Sequence, residues 1–112
     1  MAAYEIPNLR FSGIANEAIT RRRFIKPVSD ANYAMADAGE VVVGASMNDP
    51  AINEVIEVAD GIVIVEAGAT LTAGAEVQAG SNGVAVALTS GIKAGVVLTG
   101  GNSTEYITVK IS

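Results

Sequence analysis

An all-β domain is the fold this sequence predicts: a small β-barrel or β-sandwich of short antiparallel strands with an extended N-terminal arm. Three observations predict it. Of the 112 residues, Ala contributes 19, Val 14 and Ile 11, while Leu contributes four. An apolar set rich in β-branched side chains and poor in Leu favours strands over helices. Eleven of the twelve glycines lie at or after Gly39, which concentrates turn-forming residues in one stretch. Within that stretch short apolar runs alternate with turn signals roughly every 8–12 residues, the spacing of a sandwich or barrel. A chain of this length makes one domain, and the expected division is an arm over residues 1–18 followed by a single β domain over 19–112.

The arm is expected because Pro7 and Gly13 break any regular element early. From Ile19 to Val28 the run containing Arg21, Arg22, Arg23, Phe24, Ile25 and Lys26 reads as a strand, with Pro27 confining its end to a sheet edge. The stretch Asp30–Ala38 reads either as one or two helical turns, with Asp30 as N-cap and Gly39 just past the end, or as a loop. Glu40–Val43 then predicts a short buried strand, and Met47–Pro50 a turn. Glu54–Val58 and Ile62–Val65 are separated by Ala59-Asp60-Gly61, where Asp-Gly supplies the positive φ of a tight hairpin. A second hairpin is expected from Glu76–Ala79 and Val84–Leu88 through Asn82-Gly83. Gly95–Leu98 predicts another strand, and Tyr106–Ile111 closes the chain with Ile107, Val109 and Ile111 on one face. The total is six or seven strands.

Absences narrow the function. With no Cys and no His, the chain cannot supply a thiol nucleophile, an imidazole base, a Ser-His-Asp triad or a Cys/His zinc site. Missing cysteine also removes any disulfide framework, which favours assembly in the cytoplasm over secretion. The start Met1–Pro7 lacks a basic region followed by an apolar run, and no window approaches the ~18 apolar residues of a membrane span, so a soluble protein without a membrane partner is expected. No glycine pattern for dinucleotide or phosphate binding is present, and no cofactor or metal is expected. Glu54 and Glu57, as a candidate carboxylate pair, would point to opposite faces of a strand three residues apart. The acids sit mostly in or beside turns, where solubility accounts for them, and the expectation is a protein that is not an enzyme.

Charge gives a positive signal. The net charge is −5, yet residues 1–26 carry Arg10, Arg21, Arg22, Arg23 and Lys26 against Glu5 and Glu17, leaving the remainder strongly acidic. Such a split predicts that the basic segment meets an acidic protein surface, on a partner or on a neighbouring copy of the chain. Nucleic acid is disfavoured, because three consecutive arginines beside one aromatic do not offset an acidic body. The candidate partner-binding residues are therefore Arg10, Arg21, Arg22, Arg23, Phe24 and Lys26. Arginine pairs with carboxylates through a planar fork, and Phe24 would anchor the stretch in an apolar groove.

Residues 40–112 carry a further signal in the order of their pieces: Val43–Pro50, then Glu54–Gly74, then Gly83-Val84-Ala85-Val86, then Gly91–Leu98, then the alternating final strand. This order resembles the small capsid decoration (cement) proteins of tailed bacteriophages. The resemblance implies a small β-barrel or sandwich, often a homotrimer, that binds the outside of the phage head, contacts the major capsid protein and does no chemistry. Its location would be the virion, on the capsid exterior, after synthesis in the host cytoplasm. An alternative is a β-sandwich binding module on a virion, recognising carbohydrate or a host surface; five aromatics in the whole chain are few for that task.

Overall fold

Nine strands form within residues 6–112, the part of the chain that the computed structural model describes, with side chains described from Leu9 onward. They are β1 (Ile6–Ala15), β2 (Phe24–Ser29), β3 (Asn32–Met35), β4 (Gly44–Ser46), β5 (Val55–Glu66), β6 (Glu76–Ala79), β7 (Ala85–Ala87), β8 (Gly95–Thr99) and β9 (Tyr106–Ile111). The hydrogen-bonded order is β1-β3-β2-β4-β5-β9-β8-β6-β7, and β1 also pairs with β5. That extra pairing closes the first five strands into a small barrel. The remaining four continue from the second half of β5 as a sheet extension, so the all-β expectation holds in the form of a barrel with additional strands.

The twelve-residue β5 is the largest departure from expectation. Asp60-Gly61 was expected to reverse the chain, and instead the strand runs straight through it. Gly61 does adopt positive φ, at 106°, and Asp60 Oδ1 accepts the Gly61 N–H at 2.8 Å. Opposite this point the register of β1 slips between Pro7 and Leu9. The positive φ therefore belongs to a bulge that bends two paired strands rather than to a hairpin. Before the bend β5 pairs antiparallel with β1 and β4; after it, with β9 from Ile62↔Lys110 to Glu66↔Tyr106.

Three further expectations shift. Strand β2 begins only at Phe24, because Arg22 takes positive φ (61°) and turns the chain just before it. Pro27 lies beyond Phe24 and Ile25, the two β2 residues that pair with β4, so its missing donor faces no strand on that side. Asp30–Ala38 is neither helix nor loop as a whole: Asp30-Ala31 makes the turn of a β2–β3 hairpin, with Ala31 at φ 58°, and Asn32–Met35 is a strand. Glu40–Val43 is not a strand. The pairing segment is Gly44–Ser46, where the glycine lets β4 approach β5: a Cβ there would meet the Ala59 carbonyl oxygen and stand 2.7 Å from Val58 Cγ1. The β6–β7 hairpin, β8 and β9 lie where the sequence placed them.

The segment read as an arm is extended from residue 6, and it is paired. Leu9 through Ile14 match Asp60 through Val55 along β5, and Ile14 and Ala15 add a short parallel contact to β3. The first five residues of the expected arm lie outside the described residues.

Strand alternation splits the core in two. Ile25, Ile56 and Val58 point into the barrel with Ala15 and Ile19, and Phe11, Tyr33, Met35 and Val43 pack against them. Phe24, Ala45, Ala59, Val63 and Val65 point the other way, toward Leu71, Val77, Val97, Ile107, Val109 and Ile111 of the sheet extension. Adjacent residues such as Phe24 and Ile25 thus serve different cores, which ties barrel and extension together.

Two glycine substitutions distinguish close packing from backbone conformation. Gly44→Ala forces β4 from β5 and is expected to cost about 3 kcal/mol, as overpacking does. Gly74→Ala, at φ +91° with nothing within 4 Å of the added carbon, should cost about 1 kcal/mol from backbone strain alone. Urea melts of both variants measure the difference; equal costs would contradict the tight β4–β5 contact.

Candidate interaction surface

The basic stretch enters β2 from a bend, and its charges face the body of the same chain. Arg21 Nε lies 3.3 Å from Asp49 Oδ2 in an exposed pair, and the Arg21 backbone N–H donates to Asp49 Oδ1 at 2.8 Å. The Arg22 N–H donates to the Ser46 carbonyl, and its own carbonyl accepts the Glu66 N–H, both at 2.8 Å. This bend is thereby tied to β4 and to the end of β5.

Arg23 is more enclosed than Arg21 or Lys26, with a side chain 16% exposed. Its Nη2 donates to Glu66 Oε1 at 3.2 Å and its Nη1 to the Asn82 carbonyl at 3.1 Å. It therefore joins the entry to β2, the end of β5 and the turn between β6 and β7. Its Nε is buried without a hydrogen-bond partner among the described residues, a cost that offsets part of the gain. Phe24, expected as an anchor for a partner's groove, is 0% exposed and sits in the core between barrel and extension. This is a correction. An aromatic at a strand start followed by Ile25 alternates into the two cores, and neither face leaves it at the surface.

Lys26 Nζ stands 2.7 Å from Glu40 Oε1, and the same oxygen accepts the Asp37 N–H at 2.8 Å. The hydrogen bond to Glu40 holds the Lys26 ammonium above its ordinary pKa of 10.5. In return the Lys26 hydrogen bond, followed by that from Asp37, holds the Glu40 carboxyl below its ordinary 4.5. Arg10 differs from the others: it is exposed on β1, and no ion pair to it is found among the described residues.

Beside the Lys26–Glu40 pair lies a shallow open groove of about 590 Å³, lined by Lys26, Pro27, Val28, Gly39, Glu40, Val41 and Ile92. Val28, Val41 and Ile92 are each roughly half exposed (47%, 44% and 55%). Three separate segments form it. The Ile92 N–H donates to the Gly39 carbonyl at 2.9 Å, which docks the 91–92 loop on the 39–41 loop. The sequence reading missed this groove, since isolated β-branched residues in loops carry no periodic signal. It also missed Asp49, Glu66 and Glu40 as partners of the basic stretch.

A solved structure gives the fold a known counterpart. The chain is similar to the N base of the head fiber gp8.5 of bacteriophage phi29, with a TM-score of 0.78 over 93% of this chain and 93% of that one. Sequence identity is 17%, so the likeness is one of fold. No protein-family model matches this sequence, and no curated protein matches it.

The ion pairs separate by exposure. Arg23→Met leaves the half-buried Glu66 unpaired and is expected to cost about 1–2 kcal/mol. Arg21→Gln removes a solvent-screened pair and should change stability by about 0.5 kcal/mol or less. Denaturant unfolding of the two variants reads this difference, and equal effects would contradict the assignment of Arg23 as the interior tie.

The Lys26–Glu40 pair fixes a pH window. A depressed carboxyl contributes stability above its ordinary pKa and loses it as pH falls through the lowered value; a raised ammonium contributes below its ordinary pKa and loses it as pH rises through the raised value. The stability difference between the wild type and Glu40→Gln should therefore stay flat between pH 4.5 and 10.5 and shrink beyond both ends. Melting temperatures of the two proteins across pH test this, and a difference that changes steeply near neutrality would contradict it.

Proposed function

We propose that this chain is a non-catalytic structural protein of a phage virion that sits on the capsid exterior and stabilises the lattice of major capsid subunits. The observation that carries the proposal is the fold likeness to the base of a phage head fiber over nearly the full length of both chains. The order of turns and strands over residues 40–112, which resembles capsid decoration proteins, supports the same reading independently. Self-assembly as a homotrimer belongs to the proposal as well.

The physical basis is linkage. A protein that binds only the assembled lattice stabilises that state by its binding free energy, and the effect is repeated at every site on the shell. The surface suits protein rather than nucleic acid or membrane as the partner. Arg21, Arg23 and Lys26, which form most of the basic stretch, are already engaged with Asp49, Glu66 and Glu40. Among the described residues these pairs offset most of the charge of the basic stretch, which disfavours it as a site for phosphates. Exposed aliphatic side chains remain for protein contact: Val28, Val41 and Ile92 at the groove, and Ile14, Ile52 and Val55 near the start of β5.

The direct experiment is co-sedimentation of the purified chain with expanded empty capsids of the phage that encodes it, with light scattering of the free protein. Saturable binding that raises the temperature at which the shells break, and a free mass of three chains, are the expected results. Absence of binding to expanded shells would overturn the capsid reading, and a monomeric mass both in solution and on the shell would overturn the trimer.

A further inference from the structure

We propose that the outer edge of β1 at Arg10 and Ser12 is a strand-addition site, at which an extended, acidic segment of the shell's major subunit pairs with the barrel; this rests on the capsid reading above. The direction of the free groups follows from the hydrogen bonds at the end of the strand. Ile14 and Asn16 donate their N–H groups to the Ala31 and Tyr33 carbonyls at 2.8 Å, toward β3, whereas Ala15 donates to the Glu54 carbonyl at 2.9 Å, toward β5. Backbone groups alternate sides along a strand. The register with β5 is unbroken from Leu9 to Ile14, so Arg10 and Ser12 point as Ile14 does, away from β5. Strand β3 reaches β1 only at Ile14 and Ala15. Both Arg10 and Ser12 are exposed, and no hydrogen bond to their outward N–H and C=O groups is found among the described residues.

Two other edges are capped at the point where another chain would start to pair. On β3 the Met35 N–H donates to Glu17 Oε2 at 3.1 Å. On β7 the Ala85 carbonyl accepts the Gly68 N–H at 2.8 Å, within a bridge between Ala67 and Ala85. A strand edge left open where neighbouring ones are capped is a template for pairing with another chain. The template here is short, two residues with four backbone groups, bounded by the bulge near Pro7 on one side and by Ala31 on the other.

Side-chain chemistry narrows the occupant. Arg10 and Ser12 share the outward face of β1, and the Arg10 guanidinium has no ion pair among the described residues. An incoming strand with a carboxylate beside Arg10 gains a cross-strand ion pair. A second copy could offer its own β1 to this edge, and pairing the two would bring both Arg10 side chains onto one face, where like charges repel. The acidic segment of a different subunit is favoured.

The test uses the full chain and expanded empty capsids of the encoding phage. Ser12→Pro removes the outward N–H and sets a ring against an added strand; it also fixes φ at about −65°, but takes away no donor that faces β5; Ser12→Ala keeps the N–H. Co-sedimentation should show at least about a tenfold weaker binding for Ser12→Pro, no change for Ser12→Ala, and weaker binding for Arg10→Glu. Hydrogen exchange on the wild type provides a measure free of any folding defect: amides of residues 10 and 12 should become protected on the shell. Wild-type binding without that protection, or undiminished binding by Ser12→Pro with an unchanged melt, overturns strand addition and leaves the capsid reading standing. If the wild type does not bind shells at all, both fall together.

Discussion

Everything in this fold depends on one strand passing through a bend. Strand β5 supplies the barrel with its partner for β1 and β4, then supplies the sheet extension with its partner for β9. Only a residue tolerant of positive φ permits this at the midpoint, and Gly61 sits there at 106°. The bend also decides the cores. Ahead of it Ile56 and Val58 face the barrel interior, while Ala59, Val63 and Val65 face the second cluster. A strand that ended at Asp60 would leave two small sheets, each with one face and too little apolar surface to be stable alone.

The charged residues follow from the same geometry. Because β5 carries Glu66 to the far side of the barrel wall, the bend before β2 can place Arg23 against it, with Asn82 from the β6–β7 turn completing the fork. The basic stretch and the acidic body are thus the two sides of intramolecular contacts. Charge asymmetry along a sequence marks where opposite charges will meet, and folding often lets them meet within one chain. The result is a surface whose paired cations add little positive field to a chain of net charge −5, so long-range steering toward anionic partners is weak.

How far the sequence could be read depended on the range of the interactions involved. The β6–β7 hairpin, β8 and β9 were legible because a turn residue or a strict alternation determines each locally. Asp60-Gly61 was legible as a site of positive φ, but reversal and bending use the same backbone angle, and the choice lies with β1, β4 and β9, which are distant in sequence. Val41–Val43 has the side chains of a strand, yet close approach to β5 needs the small Gly44 instead. For the interaction surface, the basic residues could be listed, but not their partners: Asp49, Glu40 and Glu66 stand 28, 14 and 43 residues from the cations they bind. Phe24 was legible as apolar and not as interior, because nothing in its own segment announces a second core.

What the fold leaves available for recognition is therefore specific in kind. Once three of the cations are paired with carboxylates of the same chain and the central aromatic is buried in the core, half-exposed aliphatic side chains around a shallow groove and an uncapped length of strand backbone remain. Neither gives high affinity by itself: the groove is open, and the free edge is two residues long. Contacts of this strength suit a partner that presents many identical sites held at fixed spacing, since a subunit touching several at once gains from effective concentration what each contact lacks. A lattice has that property and a single soluble partner does not. Under the structural role proposed above, a repetitive scaffold would supply the multivalency that this modest surface needs.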